Sequence, residues 1–181
     1  MGIDCERFAN AELNPTLEKK IRSRIKSEQK IILSVDRLDY TKGIPDRLEA
    51  FDNFLKNNPE YKGKVTMIMV AVPSRTHVKT YKILKDRVDL LVGNINGKYS
   101  QPDWQPVHYF YRSFKFNDLV TLYSMSDIAL LTPLRDGMNL IAKEYIASRK
   151  DDTGVLILSE MAGASYELGE ALIVNANNKE E

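Results

Sequence analysis

Two cations, Arg37 and Lys42, share the charged stretch DRLDYTKGI at 36–44. Together they can neutralise a diphosphate, arginine as a bidentate fork and lysine as a point charge. The stretch reads equally as a solvated surface loop in which Asp36 and Asp39 balance the cations or hold them in position. A second polar segment, DGMNLIAKE, runs from Asp136 to Glu144, where a glycine-containing turn leads into an apolar-periodic run. A helix starting there presents unpaired N–H groups and roughly half a positive charge, which suits an anion or a sugar hydroxyl. Glu144, in its first turns, can accept from a pair of ribose hydroxyls. The same segment is as readily an ordinary strand-to-helix connection with a glycine in it. Arg75 follows Val72-Pro73-Ser74, and Phe114 sits in RSFK. A lone arginine of this kind is more often plain surface, and an aromatic able to cover a nucleobase is more often core.

All four features stand where strands are expected to end. Apolar runs predict strands at 30–35 (KIILSV), 64–72, 107–111, 127–132, 154–158 and 171–174. Between them lie helices. One starts at Asn14-Pro15 and continues to about residue 26 with Leu17, Ile21 and Ile25 on one face. One starts at Pro45 and carries Leu48, Phe51, Phe54 and Leu55. A long one is marked by Val78, Tyr81, Leu84, Val88 and Leu91. A short one is capped by Asn117, another covers about 139–149, and a small helix start lies at Ala162-Gly163-Ala164. Residues 1–13 read as irregular, 93–105 as a loop containing Gly97, Pro102 and Trp104, and 177–181 as a fraying tail. Strands alternate with helices and no hairpin stands out, which predicts an α/β fold with a doubly wound parallel sheet. In such a sheet the strand ends share one edge, where ligands bind.

Composition narrows the function classes. The 181 residues suit one domain, 43% apolar and 28% charged. Lys and Arg number 26 against 25 Asp and Glu, a net charge of +1, so bulk charge points to neither nucleic acid nor membrane. The single cysteine, Cys5, excludes an internal disulfide and fits a reducing, cytoplasmic setting, and two histidines are too few for a histidine metal site. Neither a signal-peptide pattern nor a long apolar run is present. Dinucleotide, P-loop and nucleophile-elbow strings are also absent.

The string Arg135-Asp136-Gly137-Met138-Asn139-Leu140, with Ala142-Lys143-Glu144, closely resembles a signature of the trehalose-6-phosphate synthases, retaining glycosyltransferases of the GT-B architecture. The likeness extends to Val35–Pro45, to Ala71-Val72-Pro73-Ser74-Arg75, to GNINGKY at 93–99 followed by Asp103-Trp104 and PVHY at 106–109, and to LILSE at 156–160 with Ala162-Gly163-Ala164. It covers Gly2 to Asn175.

The resemblance implies transfer of glucose from UDP-glucose to glucose 6-phosphate, with no metal and no further cofactor. Arg37 and Lys42 would bind the donor diphosphate and, with Asp136, carry the catalysis. Phe114 would lie at the uridine. Asp136, Gly137, Met138 and Asn139 would meet the donor glucose, and Leu140, Ile141, Ala142, Lys143 and Glu144 the nucleotide, Glu144 at the ribose. Arg75 would contact the acceptor phosphate. Ile141 stands for a usual valine, Met161 for a common phenylalanine, and Ala176-Asn177 for a proline–aromatic pair. The family's N-terminal acceptor half has no counterpart here, and the helices that close the second half are expected to be cut short. The chain is therefore expected to be a single donor-binding domain over 1–181 that binds donor without turnover, with an apolar patch near the site edge. A homo-oligomer or synthase complex, a non-catalytic module of the same fold and a different acceptor stay open, as does UDP- against GDP-glucose.

Overall fold

Long apolar runs favour burial on two faces. In this computed structural model, which describes residues 2–151 and 153–178, they form six parallel strands that meet that need at the middle of the sheet, whereas the edge strand at 172–174 stays largely exposed. The strands are β1 (Lys30–Arg37), β2 (Val65–Val72), β3 (Val107–Phe110), β4 (Ile128–Leu131), β5 (Val155–Ser159) and β6 (Leu172–Val174). Their order is β3-β2-β1-β4-β5-β6, and every pairing is parallel. The expected doubly wound sheet is present. The order reverses between β1 and β4, so the crevice at their carboxyl ends is where this fold holds ligands.

Strand alternation sorts the core into two layers. Ile31, Leu33 and Val35 of β1, with Ile68 and Val70 of β2, face α5 (Phe116–Met125) and α6 (Leu140–Ser148). Ile32, Met67, Met69 and Ala71 face α3 (Ile44–Asn57) and α4 (Lys79–Tyr99), whose stripes include Leu48, Phe51, Leu84, Val88 and Val92. Ser34 and Asp36 alternate with the first set, which turns both toward α3.

Several boundaries differ from the sequence reading. Pairing of Arg37 with Val72 carries β1 two residues beyond 35, so Asp36 and Arg37 are strand and not loop. Residues 1–13 contain α1 (Cys5–Ala9), capped by the Asp4 carboxylate accepting from the Arg7 N–H at 3.0 Å, with Phe8 buried. The helix α2 (Pro15–Arg22) has the expected Asn14 cap but stops short of residue 26. Asn117 lies inside α5 and caps nothing; Lys115 holds the cap position without a side-chain bond.

The largest difference is α4, which runs through Gly93 and Gly97 to Tyr99. Each glycine costs roughly 1 kcal/mol in a helix. The burial of Val92, Ile95 and Tyr99 on one face outweighs that cost. Asn96 adds a tie to β3, donating to the Val107 carbonyl at 2.9 Å and accepting from the Val107 N–H at 3.0 Å. Residues 179–181 of the expected tail lie outside the described residues. Among the described residues no helix is long and apolar enough to cross a membrane.

A β-carbon at Gly93 or Gly97 would meet nothing within 4 Å. Gly93→Ala and Gly97→Ala should therefore each raise stability by up to about 1 kcal/mol in urea unfolding. A loss of stability in both would mean that this stretch is not helical in solution.

Candidate functional site at the carboxyl edge

The loop after β1 is a short, heavily pinned turn. Asp39 Oδ1 accepts from the Thr41 N–H at 3.1 Å and from its hydroxyl at 2.9 Å, capping the 3-10 turn Tyr40–Lys42. Gly43 follows at φ +62°. A β-carbon there would lie 2.7 Å from the Thr132 carbonyl oxygen, so only glycine allows this loop to lie against the exit of β4. The two loops are also joined through backbone: Leu134 N–H and Arg135 N–H both donate to the Thr41 carbonyl, at 2.8 and 3.1 Å.

Across this junction Lys42 Nζ pairs with Asp136 Oδ2, and both side chains are largely buried, at 13% and 16% exposure. The pair spans the loops after β1 and β4, the strands at which the sheet order reverses. Arg37, at the tip of β1, is exposed, and among the described residues it makes no ion pair.

Beneath the pair lies a group that the sequence did not single out. Arg47, fully buried on α3, donates from Nη1 to Asp36 Oδ2 at 2.8 Å and to Ser34 Oγ. Its Nη2 donates to the Lys42 carbonyl at 3.1 Å, and its Nε to Thr132 Oγ1 at 3.1 Å. One guanidinium thus joins β1, the Lys42 turn and the end of β4. Burial pushes the Asp36 carboxyl up from its ordinary value, against the pull of Arg47. Nothing in the local spacing of Asp36 and Arg47 marks them as partners. Only strand alternation, which turns Asp36 toward α3, points that way.

The 135–139 segment is fixed by the loop after β5. Asp136 N–H donates to the Met161 carbonyl at 3.1 Å, Gly163 N–H to the Asp136 carbonyl at 3.0 Å and Ala164 N–H to the Met138 carbonyl at 2.7 Å. At Gly163 a β-carbon would come within 2.1 Å of the Gly137 carbonyl oxygen. Gly137 itself is exposed and Met138 half-buried.

Asn139 is buried at φ +68°, a conformation that asparagine tolerates better than most residues. Its Oδ1 caps α6 by accepting from the Ala142 N–H at 3.1 Å, while its Nδ2 is a buried donor without a partner. Leu140 and Ile141 stand in the first turn, where N–H groups have no intrahelical acceptor. Ala142 is fully buried, so its side chain is closed to any ligand. Lys143 pairs with Glu167 at 2.5 Å. Glu144 is half-buried, and its Oε2 accepts from the Tyr123 hydroxyl at 2.8 Å. Burial first, then Glu144, holds the Tyr123 phenol well above its ordinary value, so it stays a donor. Tyr123 also went unseen in the sequence, because it sits on another helix.

Arg75 is exposed after β2 and reaches back to Tyr81. Phe114 follows β3, half-buried, edge-on to Phe110 at 5.5 Å between centroids, with the Arg112 guanidinium 4.3 Å above its ring. The structure therefore brings Lys42, Asp136 and the start of α6 together, and places Arg37, Arg75 and Phe114 on the same edge as separate groups. Two roomy clefts, of about 930 Å³ beside α6, β5 and β6 and about 550 Å³ beside Trp104 and His108, lie away from these residues. Tyr40, Val78, Met161 and Tyr166, in segments that follow β1, β2 and β5, are exposed.

Removing the guanidinium should leave Asp36 buried and uncompensated. Arg47→Met is expected to cost about 3–5 kcal/mol in denaturant unfolding. The double variant Arg47→Met with Asp36→Leu should recover a large part of that loss. Equal losses in single and double variants would show that the pair is not the source of the cost.

The whole chain, residues 1–181, matches the model of glycosyltransferase family 20. The bifunctional trehalose-6-phosphate synthase/phosphatase of Thermoproteus tenax is 47% identical over 181 residues, covering 98% of this chain and 25% of that protein. A UDP-forming α,α-trehalose-phosphate synthase from Burkholderia xenovorans, solved in complex with glucose-6-phosphate, superposes with a TM-score of 0.94 at 34% identity, covering 99% of this chain and 40% of that one. An E. coli trehalose-6-phosphate structure bound with UDP-2-fluoro glucose gives a TM-score of 0.92 at 40% identity, with 98% and 40% covered. The chain thus spans between a quarter and two fifths of these proteins.

Proposed function

This chain belongs to glycosyltransferase family 20, and on that premise we propose that it is the donor-binding domain of a UDP-forming trehalose-6-phosphate synthase of GT-B architecture. The reading takes residues 1–181 as one nucleotide-sugar domain that works against a second, acceptor-binding half. The observation that carries it is the Lys42–Asp136 pair at the switch point of the sheet, set against the start of α6.

A diphosphate entering that crevice competes with Asp136 for Lys42. Arg37, exposed and without an ion pair among the described residues, supplies the second cation. The Asp136 carboxylate, once released, accepts from hydroxyls of the donor glucose, whose other side meets Gly137, Met138 and Asn139. The buried Asn139 Nδ2 offers a donor at that point. Leu140, Ile141, Ala142 and Lys143 approach the nucleotide through the backbone of α6, and the second oxygen of Glu144 is left for a ribose hydroxyl. Phe114 covers the uracil, and Arg75 takes the acceptor phosphate.

Charge develops on the departing UDP as the glycosidic bond breaks. Arg37, Lys42 and the N–H groups at the start of α6 are aimed at that charge before reaction, which is the effective form of leaving-group stabilisation. The acceptor attacks from the same face, and the anomeric configuration is retained. In this reading two side-chain cations neutralise the diphosphate, so no metal is required. Glucose 6-phosphate approaches from the open edge, where the second half would close the cleft and exclude water. Alone, the chain binds donor and does not turn over.

The test is calorimetric titration with UDP and UDP-glucose, with and without a chelator. Saturable binding that survives chelation is expected, weakened about 10- to 100-fold in Lys42→Ala, the range for a lost charged hydrogen bond. Glu144→Ala should weaken UDP and spare free pyrophosphate. Binding unchanged in both variants would sink the proposed donor site.

A further inference from the structure

Arg75 stands at φ +46°, a left-handed conformation disfavoured for any residue with a β-carbon. Its side chain is anchored. Nη1 donates to the Tyr81 hydroxyl at 3.1 Å, with the guanidinium carbon 5.6 Å from the ring centroid. Tyr81 is 7% exposed, and its hydroxyl donates in turn to Asp39 Oδ2 at 2.8 Å. The Tyr81 ring packs edge-on against Tyr40 at 5.4 Å between centroids, and the Tyr40 hydroxyl bonds to the Thr80 carbonyl. The bonds run in one direction, from guanidinium to phenol to carboxylate, so each polarises the next.

Asp39 divides its two oxygens between two tasks. Oδ1 caps the turn that delivers Lys42, and Oδ2 terminates the bonds from Arg75. Burial raises the Asp39 carboxyl, but the Thr41 N–H, the Tyr81 hydroxyl and the Thr41 hydroxyl outweigh it and hold the group below its ordinary value. The bond to Asp39 and then burial push the Tyr81 phenol up. At neutral pH the carboxylate is charged and the phenol keeps its proton.

We infer that Tyr81 and Asp39 are positioning residues, which fix the Arg75 guanidinium relative to the Arg37–Lys42 loop so that a sugar phosphate and a diphosphate are held in register. The inference rests on the assignment of Arg75 to the acceptor phosphate. Without Tyr81 the guanidinium would sweep a wide arc on a flexible stem, while the backbone turn would keep only the bond from the Val78 N–H to the Arg75 carbonyl, at 2.9 Å. With it, the loop after β2 and the loop after β1 form one unit, and the two phosphate sites are spaced by protein bonds before either is filled.

The experiment follows the Arg75 Nε–Hε resonance by NMR relaxation in the chain itself, in wild type and in Tyr81→Phe, which keeps the ring and removes only the hydroxyl. Glucose 6-phosphate and UDP are then titrated into wild type, Tyr81→Phe and Arg75→Ala. Expected is an ordered Arg75 side chain in wild type that becomes as mobile as a free surface arginine in Tyr81→Phe. Glucose 6-phosphate should bind about threefold to tenfold more weakly in that variant, the range for one lost hydrogen bond, with UDP unaffected. Equal order of Arg75 in wild type and Tyr81→Phe overturns the inference, whatever the ligands do. A freed Arg75 with sugar-phosphate affinity unchanged in both Tyr81→Phe and Arg75→Ala supports the anchoring and overturns the phosphate assignment. Should Tyr81→Phe fold poorly, Asp39→Asn weakens the far end of the same chain of bonds and is read by the order of Arg75 alone, because Asp39 also caps the turn that delivers Lys42.

Discussion

The enclosed guanidinium of Arg47 holds four oxygens belonging to Ser34, Asp36, Thr132 and the Lys42 carbonyl. These come from β1, from the residue that follows β4 and from the loop that bears the proposed phosphate ligands. Burying such a charge is costly, and an apolar replacement of the whole cluster is often no less stable. Its contribution is better sought in geometry. Arginine's planar fork accepts few arrangements of its partners, so the exits of β1 and β4 are fixed relative to each other. Lys42 and Asp136 meet because their loops start from that fixed junction.

The peptide framework of the site is consequently set before any ligand arrives, and on the proposed reading the exchange left to make is that of Asp136 for phosphate at Lys42. Lys42 has a carboxylate for company, which lowers the cost of keeping its ammonium largely out of water. Asn139 holds a strained backbone in order to cap α6, and Gly43 and Gly163 allow contacts that any β-carbon would block. Arrangements of this kind cost stability locally and spare reorganisation later, which is the trade expected where charge must be stabilised quickly.

Much of this was legible in the sequence, for reasons that differ between elements. The strands were readable because parallel strands buried on both faces are continuous apolar runs, as in KIILSV and GVLIL. Their alternation with helices gave the sheet, and the sheet gave the shared edge on which Arg37, Lys42, Arg75, Phe114 and the 136–144 segment stand. The helix α4 misled because glycine propensity is a local preference, whereas Val92, Ile95, Tyr99 and the Asn96 tie to β3 act through tertiary packing. Partnerships were the least visible. Arg47 with Asp36, Tyr81 with Arg75 and Asp39, and Tyr123 with Glu144 join residues on different elements, and no spacing along the chain encodes them.

The contact between Gly163 and Gly137 carries one more consequence. Where two main chains touch, the contour of the 136–138 loop is set by peptide groups and not by side chains. A substitution on that loop then changes a side chain while the peptide scaffold beneath it keeps its shape. On the proposed reading, the surface that meets the donor sugar can then drift residue by residue while the loops proposed to grip phosphate are passed on intact.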